Sequence, residues 1–153
     1  MKVIIAGSRP PQGYSQEEFE EILKDELTLV ISAWEAGHGQ ITHIVEGGAR
    51  GVDQMAKHFA SVLEVPFTEA PADWDRYGNA AGHRRNEEMA ALPEVGGLIT
   101  LWNGTSPGTR GMIEIARAKG IPTLIWIYNE QNLFPVRDLP VRDLCLRRLP
   151  ALR

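Results

Sequence analysis

Three short segments of the chain combine glycine with hydroxyl or basic side chains, and each directly follows an apolar run. They are residues 7–9, 47–53 and 104–109. Glycine lets the backbone approach a ligand closely, and N–H groups at the start of a helix attract anions. An arginine can grip a phosphate through two parallel hydrogen bonds. Together these residue types indicate a pocket for a phosphate-bearing small molecule, whereas each segment alone also fits an ordinary turn.

A fourth segment, residues 73–86, adds a tryptophan and paired arginines. A tryptophan could stack on a base, and an arginine could hold an anion. The candidate ligand-binding residues of all four segments are Gly7, Ser8, Arg9, Gly47, Gly48, Ala49, Arg50, Gly51, Asp53, Asp73, Trp74, Arg85, Asn86, Trp102, Gly104, Ser106, Gly108 and Thr109.

Several of these residues have two possible roles. Asp53 falls in a first helical turn, where it either complements the helix dipole or contacts a ribose hydroxyl or a loop N–H group. Trp74 either faces a base or covers the core. Thr109 is expected to contact phosphate and also to cap the helix that follows it. The loop at 47–53 matches neither the dinucleotide-binding glycine pattern nor a Walker loop.

Apolar periodicity predicts strands that alternate with helices. The predicted strands are residues 2–6, 41–45, 65–69, 95–101 and 121–128. The predicted helices are one that Ser15 caps and that Gly37 and Gly39 end, followed by 52–63, 84–92 and 110–119, with a loop at 70–82. This order predicts an α/β, Rossmann-like, doubly wound sheet of about five mainly parallel strands with helices on both faces. The three glycine loops then open on the same edge of that sheet.

The bulk properties fit one globular domain. The chain has 153 residues and a formal net charge of −4, and this acidic balance disfavours a large nucleic-acid-binding surface. The single cysteine, Cys145, fits a reducing compartment, and the first apolar run is too short for a signal peptide or a membrane span. We therefore expect a cytoplasmic protein without membrane contact. No metal-ligand spacing is present, and no cofactor is required beyond a nucleotide-type ligand.

The last part of the chain differs from the rest. We expect a domain at residues 1–128 and a C-terminal arm at 129–153, which contains a small tandem repeat at 135–139 and 140–144. Its prolines exclude one long helix. The arm either packs on its own domain or a partner subunit, or is partly disordered.

The candidate segments as a set resemble the SLOG superfamily, nearest to its YspA-like branch. The resemblance covers about residues 2–127 and is carried by residues 7–9, 47–53, 72–74, 81–86, Met89 and 102–109. It implies a Rossmann-like fold and a nucleotide-type pocket. The superfamily includes LOG phosphoribohydrolases, the DNA-binding DprA/Smf proteins and sensor domains for nucleotide-derived signals, so it does not imply one activity. LOG-like relatives pair through helices, which implies a homodimer or a higher homo-oligomer.

One departure from the LOG pattern bears on catalysis. LOG enzymes carry a catalytic glutamate two residues past the threonine of their glycine motif, and Gly111 stands at that place here. Glu114 follows three residues later, and Arg85 resembles the LOG arginine, so Arg85 and Glu114 are the candidate catalytic residues. Cleavage of an N-glycosidic bond needs stabilisation of a cationic transition state, which a carboxylate usually provides. Glu46 or Asp53 could substitute.

These observations rank three candidate functions from most to least favoured. The first is a sensor or regulatory domain that binds a nucleotide or an ADP-ribose-like molecule. The alternative is a LOG-type phosphoribohydrolase that acts on nucleoside 5′-monophosphates. Nucleic-acid binding is disfavoured by the acidic charge.

Overall fold

A five-stranded parallel sheet forms the centre of the structure, a computed structural model that describes residues 1–137. The strands lie in the order β3-β2-β1-β4-β5 and every neighbouring pair is parallel. Their bounds are β1 Lys2–Gly7, β2 His43–Glu46, β3 Phe67–Glu69, β4 Val95–Trp102 and β5 Thr123–Ile127. The helices are α1 Gln16–His38, α2 Val52–Leu63, α3 Trp74–Tyr77, α4 Ala81–Ala90, α5 Pro107–Ala118 and α6 Glu130–Leu133.

The helices cover both faces of this sheet, which confirms the doubly wound α/β prediction. One core layer joins α1 and α2 to the sheet and includes the fully buried Phe19 and Trp34. The other joins α4 and α5 to the opposite face through Met89 and Met112. Both faces of each central strand are therefore buried, as their β-branched sequences indicate.

Helix α1 begins where its sequence predicts and continues through Gly37, so that only Gly39 follows its end. The Ser15 hydroxyl accepts a bond from the Glu18 N–H, and the Glu18 side chain accepts one from the Ser15 N–H, which is a complete capping box. The helix ends at His38, and Gly39 follows it at φ 99°. Within residues 1–137, no helix has both the length and the apolar character needed to cross a membrane.

Several segments differ from the sequence prediction, and one of them is helix α4, which begins at Ala81 and not at residue 84. Helix α5 begins at Pro107 with Ser106 as its N-cap, so the prediction that Thr109 caps this helix is wrong. Proline fits the first helical position because its fixed φ suits a helix and its missing N–H is not needed there. The predicted loop at 70–82 contains the short helix α3, which Asp73 caps by accepting a bond from the Arg76 N–H.

The start of the C-terminal arm packs on the domain. After β5 the chain forms α6, and Phe134 then stacks against Phe19 and contacts the edge of Tyr14. The Tyr14 hydroxyl donates to the carbonyl of Pro135 at 2.6 Å. Most of the tandem repeat, and Cys145, lie outside the described residues.

Candidate functional site

A cleft of about 660 Å³ opens at the carboxyl edge of the sheet, between the ends of β1 and β4. The chain leaves β1 towards β2 on one side of the sheet and later returns to β4 on the other side. The strand order therefore reverses between β1 and β4, and ligands of doubly wound sheets bind at such a position. The walls come from the loop after β1, the start of α2, helices α3 and α4, and the start of α5.

The start of α5 presents unpaired polar groups to the cleft. The hydroxyl of Ser106 lies 3.0 Å from the Ser8 hydroxyl and makes no cap bond to the helix, so the first helical N–H groups are not capped by a side chain. Thr109 is only 5% exposed, lines the cleft, and its hydroxyl has no hydrogen-bond partner among the described residues. Backbone N–H groups, a hydroxyl and the helix dipole thus converge on one place suited to an anion.

The glycine loop after β2 is occupied by the protein's own polar groups. The Gly48 N–H donates to the Glu46 carboxylate at 2.6 Å, and the Ala49 N–H donates to the Asp53 carboxylate at 3.2 Å. The Gly51 N–H donates to the side-chain oxygen of Gln16. A phosphate would have to displace these acceptors. The loop therefore differs from the open phosphate cradle that its glycines suggest.

Arg85 ties α4 to this loop. One terminal nitrogen of its guanidinium donates to the Gly47 carbonyl and lies 4.0 Å from the Asp53 carboxylate, while its Nε donates to Asn86 at 2.9 Å. Asn86 in turn donates to the Gly108 carbonyl at 3.2 Å, which links α4 to the start of α5. Arg85 and Asn86 thus hold the two walls of the cleft together.

Two buried carboxyl groups lie under the loop. Burial raises the pKa of Asp53 to about 6, although the nearby Arg85 guanidinium and the Ala49 N–H act in the opposite direction. Burial raises the pKa of Glu46 to about 7, and the neighbouring carboxylates of Asp53 and Glu69 raise it further, while the Gly48 N–H lowers it. The second oxygen of Glu46 has no hydrogen-bond partner among residues 1–137. Both acids therefore hold a proton more readily than free carboxylates do.

This burial predicts a pH dependence of stability. The folded pKa of Glu46 is about 7 and its ordinary value is 4.5, so its contribution is fully present below pH 4.5 and is lost as the pH rises through 7. Between pH 6 and 8 we expect it to lower the free energy of unfolding by about 1 kcal/mol. Urea unfolding at pH 6, 7 and 8 measures this change. In Glu46→Gln the free energy of unfolding should fall less between pH 6 and 8 than it does in the wild type. An identical fall in both proteins would contradict the prediction.

The structure brings ten of the predicted binding residues to the cleft. They are Gly7, Arg9, Ala49, Asp53, Trp74, Arg85, Asn86, Ser106, Gly108 and Thr109. Arg9 is exposed and makes no hydrogen bond or ion pair within the described part of the chain, so its guanidinium is available to a ligand. Trp74 is 51% exposed, which agrees with a stacking surface and not with a core residue.

The other predicted binding residues do not line this cleft. They are Ser8, Gly47, Gly48, Arg50, Gly51, Asp73, Trp102 and Gly104. Several have internal roles instead. Ser8 is 1% exposed, and its hydroxyl accepts a bond from the Asn103 N–H at 2.9 Å. Trp102 donates from its indole to the Ser106 carbonyl at 3.1 Å, so it supports the loop before α5.

The predicted catalytic glutamate is also outside the cleft. Gly111 and Met112 line the cleft, whereas Glu114 is exposed and does not. Three further residues of α5 rise about 4.5 Å along the helix axis, away from the end that faces the cleft. The structure therefore does not support a catalytic role for Glu114. The carboxylates that do line the cleft are Asp53 and Glu130.

Sequence reasoning missed Asn103 and Glu130. The side-chain oxygen of Asn103 accepts bonds from the N–H groups of Thr105 and Ser106, both at 3.0 Å, and its amide donates to Glu130 at 2.7 Å. The first of these contacts is a local Asx turn, which Asn-Gly-Thr after a strand could have indicated. No local signal places Glu130 here, because its position depends on how the chain returns after β5.

Among residues 1–137, no group of three His, Cys, Asp or Glu side chains is arranged to hold a metal ion.

The chain matches no family model, and searches of curated proteins and of solved structures also give no match. The resemblance to the SLOG superfamily therefore stays a prediction from the sequence motifs.

Proposed function

We propose that this protein binds a nucleotide or a nucleotide-derived molecule in the cleft between β1 and β4, as a sensor or regulatory domain of the SLOG type. The observation that carries the proposal is the convergence of three features at the switch point of the sheet. They are the start of α5, where Ser106 makes no side-chain cap bond, the buried Thr109 hydroxyl and the exposed Arg9. These groups fit a phosphate. The exposed face of Trp74 fits a base on the α3 side of the same cleft.

The charge of the cleft agrees with a ligand of modest negative charge. Arg9 and Arg85 line it, and so do the carboxylates of Asp53 and Glu130. Arg85 already faces Asp53, which leaves Arg9 and the α5 dipole as the attraction for a phosphate. A carboxylate such as Asp53 can accept bonds from the hydroxyls of a ribose.

Ligand binding should raise thermal stability. At a ligand concentration about 100 times Kd, mass action adds about 2.7 kcal/mol to the free energy of unfolding. For a chain of this size we expect Tm to rise by about 5–10 °C. The measurement is a thermal-shift screen with AMP, ATP, NAD, ADP-ribose and cyclic nucleotides. If none of them raises Tm at millimolar concentration, the proposal is wrong.

Two arginine variants test where the phosphate binds. Arg9→Ala should remove most of the ligand-induced rise in Tm and change the Tm of the free protein little, because Arg9 is exposed and makes no hydrogen bond or ion pair with the described residues, although its charge acts on the Asp53 carboxylate. Arg50→Ala is the matched control, since Arg50 is also exposed but lies outside the cleft. Equal loss in both variants would show a general charge effect and not a site.

A second candidate function is N-glycosidic cleavage of a nucleoside 5′-monophosphate. It is favoured by Asp53, a buried acid whose carboxylate lines the cleft. Such a group could stabilise positive charge on the sugar. Incubation with nucleoside monophosphates should then release free base, and Asp53→Asn should abolish the release. A rate that is unchanged in this variant would exclude the mechanism.

The proposal also includes a cytoplasmic location and a homodimer or higher homo-oligomer. Both rest on the sequence, through the single Cys145 and the resemblance to proteins that pair through helices. Light scattering of the purified protein measures the stoichiometry. A monomer at all accessible concentrations would contradict the oligomer.

A further inference from the structure

A second cavity, which we call the distal groove, adjoins the cleft. It measures about 1050 Å³ and runs between the loop after β1, the end of β5 and helix α6. Pro11, Asn103 and Glu130 line both cavities, so the cleft and the distal groove adjoin at these residues. A ligand that is held at the start of α5 therefore lies next to the distal groove.

Glu130 stands at the junction and is fixed there. Its carboxylate accepts a bond from the Asn103 amide at 2.7 Å, and the other end of the same amide accepts a bond from the Ser106 N–H at 3.0 Å. Ser106 is the N-cap of α5. Asn103 thus links the Glu130 carboxylate to the end of α5 at which the phosphate is proposed to bind. A phosphate group placed beyond that position would meet the carboxylate.

The rest of the distal groove suits a neutral group with hydroxyls. Its walls include the rings of Tyr14 and Tyr128 and the side-chain amides of Asn129 and Gln131. Arg137 also lines it, but its guanidinium is paired with Glu18 and lies over the Tyr14 ring, 3.8 Å from the ring centre. The groove therefore offers carboxylate and amide groups that bind hydroxyls, and no unpaired cation among its described residues for a second anion.

We propose that Glu130 selects nucleotides whose outer phosphate is esterified to a sugar, with the sugar in the distal groove, over nucleotides that end in a free phosphate. This inference rests on the proposed nucleotide function and narrows its ligand class. A terminal phosphate carries about two negative charges and would be repelled by Glu130, whereas an esterified phosphate carries one and presents sugar hydroxyls that the carboxylate can accept.

Matched pairs of ligands test the preference for whichever base the cleft accepts. The pairs are ADP with ADP-ribose, UDP with UDP-glucose and GDP with GDP-mannose, and Kd is measured by titration calorimetry with the full chain. For the base that binds, we expect the sugar ester to bind about tenfold more tightly than the free diphosphate. In Glu130→Gln the ratio should fall severalfold, because the repulsion of the free diphosphate is gone while the amide groups of the groove remain.

Glu114→Gln is the control, since it removes one negative charge from an exposed site on α5 outside the cleft and should leave the ratio unchanged. Thermal melts of both free variants check that they fold as the wild type does. Equal affinities within the pairs, or a ratio that Glu130→Gln does not change, would overturn the role of Glu130 and leave nucleotide binding intact. If no member of any pair binds and the wider nucleotide screen is also negative, the proposed function itself fails.

Discussion

Replacing Gly51 with alanine is expected to lower the free energy of unfolding by about 3–5 kcal/mol. Gly51 has φ 94°, a conformation that side chains with a Cβ rarely adopt. A Cβ there would lie 2.2 Å from the Ser8 carbonyl oxygen, so the backbone itself would have to move. That movement would also disturb the 3.1 Å bond that the Val52 N–H donates to the same oxygen. The strain and the overpacking add to each other.

The size of this effect separates two roles of the glycine loop. If Gly51 serves only the approach of a ligand, alanine should change affinity and leave the free protein as stable as before. Urea unfolding of the free protein measures the difference. Gly37→Ala is the matched control, because Gly37 lies in α1 with no atom within 4 Å of its Cβ position. It should raise stability by about 0.5 kcal/mol through its helix propensity. A loss below about 1 kcal/mol in Gly51→Ala would contradict the packing role.

The sequence predicts the layers of this fold well because they depend on local patterns. Helix α2 has the bounds 52–63 that its periodicity indicates. The start of α5 was predicted three residues late. A hydroxyl at Thr109 is a good cap in isolation, but Pro107 favours the first helical position and Ser106 precedes it. Which of two nearby residues becomes the N-cap of a helix depends on how the preceding loop packs.

The site was predicted only in part, because its loops are filled by distant side chains. Glycines after a strand indicate open N–H groups, yet Gln16 accepts from Gly51, and Arg85 donates to Gly47, across 35 and 38 residues of sequence. Because these partners occupy polar groups of the loop, the loop supports the fold and does not present open N–H groups to a phosphate. Thr109 was predicted from its own loop to contact a phosphate, and this residue does line the cleft.

Replacing Arg85 with methionine is expected to lower the free energy of unfolding by about 3 kcal/mol at pH 7.5, because it leaves the Asp53 carboxylate buried without its cation. The loss should be smaller at low pH. Without Arg85 the pKa of Asp53 rises further above 6, and the stability that its proton provides is lost as the pH rises through that higher value. Urea unfolding at pH 5.5, 6.5 and 7.5 should therefore show a gap from the wild type that widens with pH.

A double-mutant cycle with Asp53→Asn distinguishes two roles of Arg85, neutralisation of Asp53 and direct binding of the phosphate. Asparagine keeps an oxygen for the Ala49 N–H but carries no charge that needs a cation. If Arg85 serves mainly to neutralise Asp53, the double variant should be more stable than the sum of the single losses predicts, by about 1–2 kcal/mol. The guanidinium would then be committed to the protein, and Arg9 would be the principal cation for a ligand. The opposite result would be that the two single losses of unfolding free energy add and that the difference between Arg85→Met and the wild type does not depend on pH. Arg85 would then be available to bind the phosphate directly.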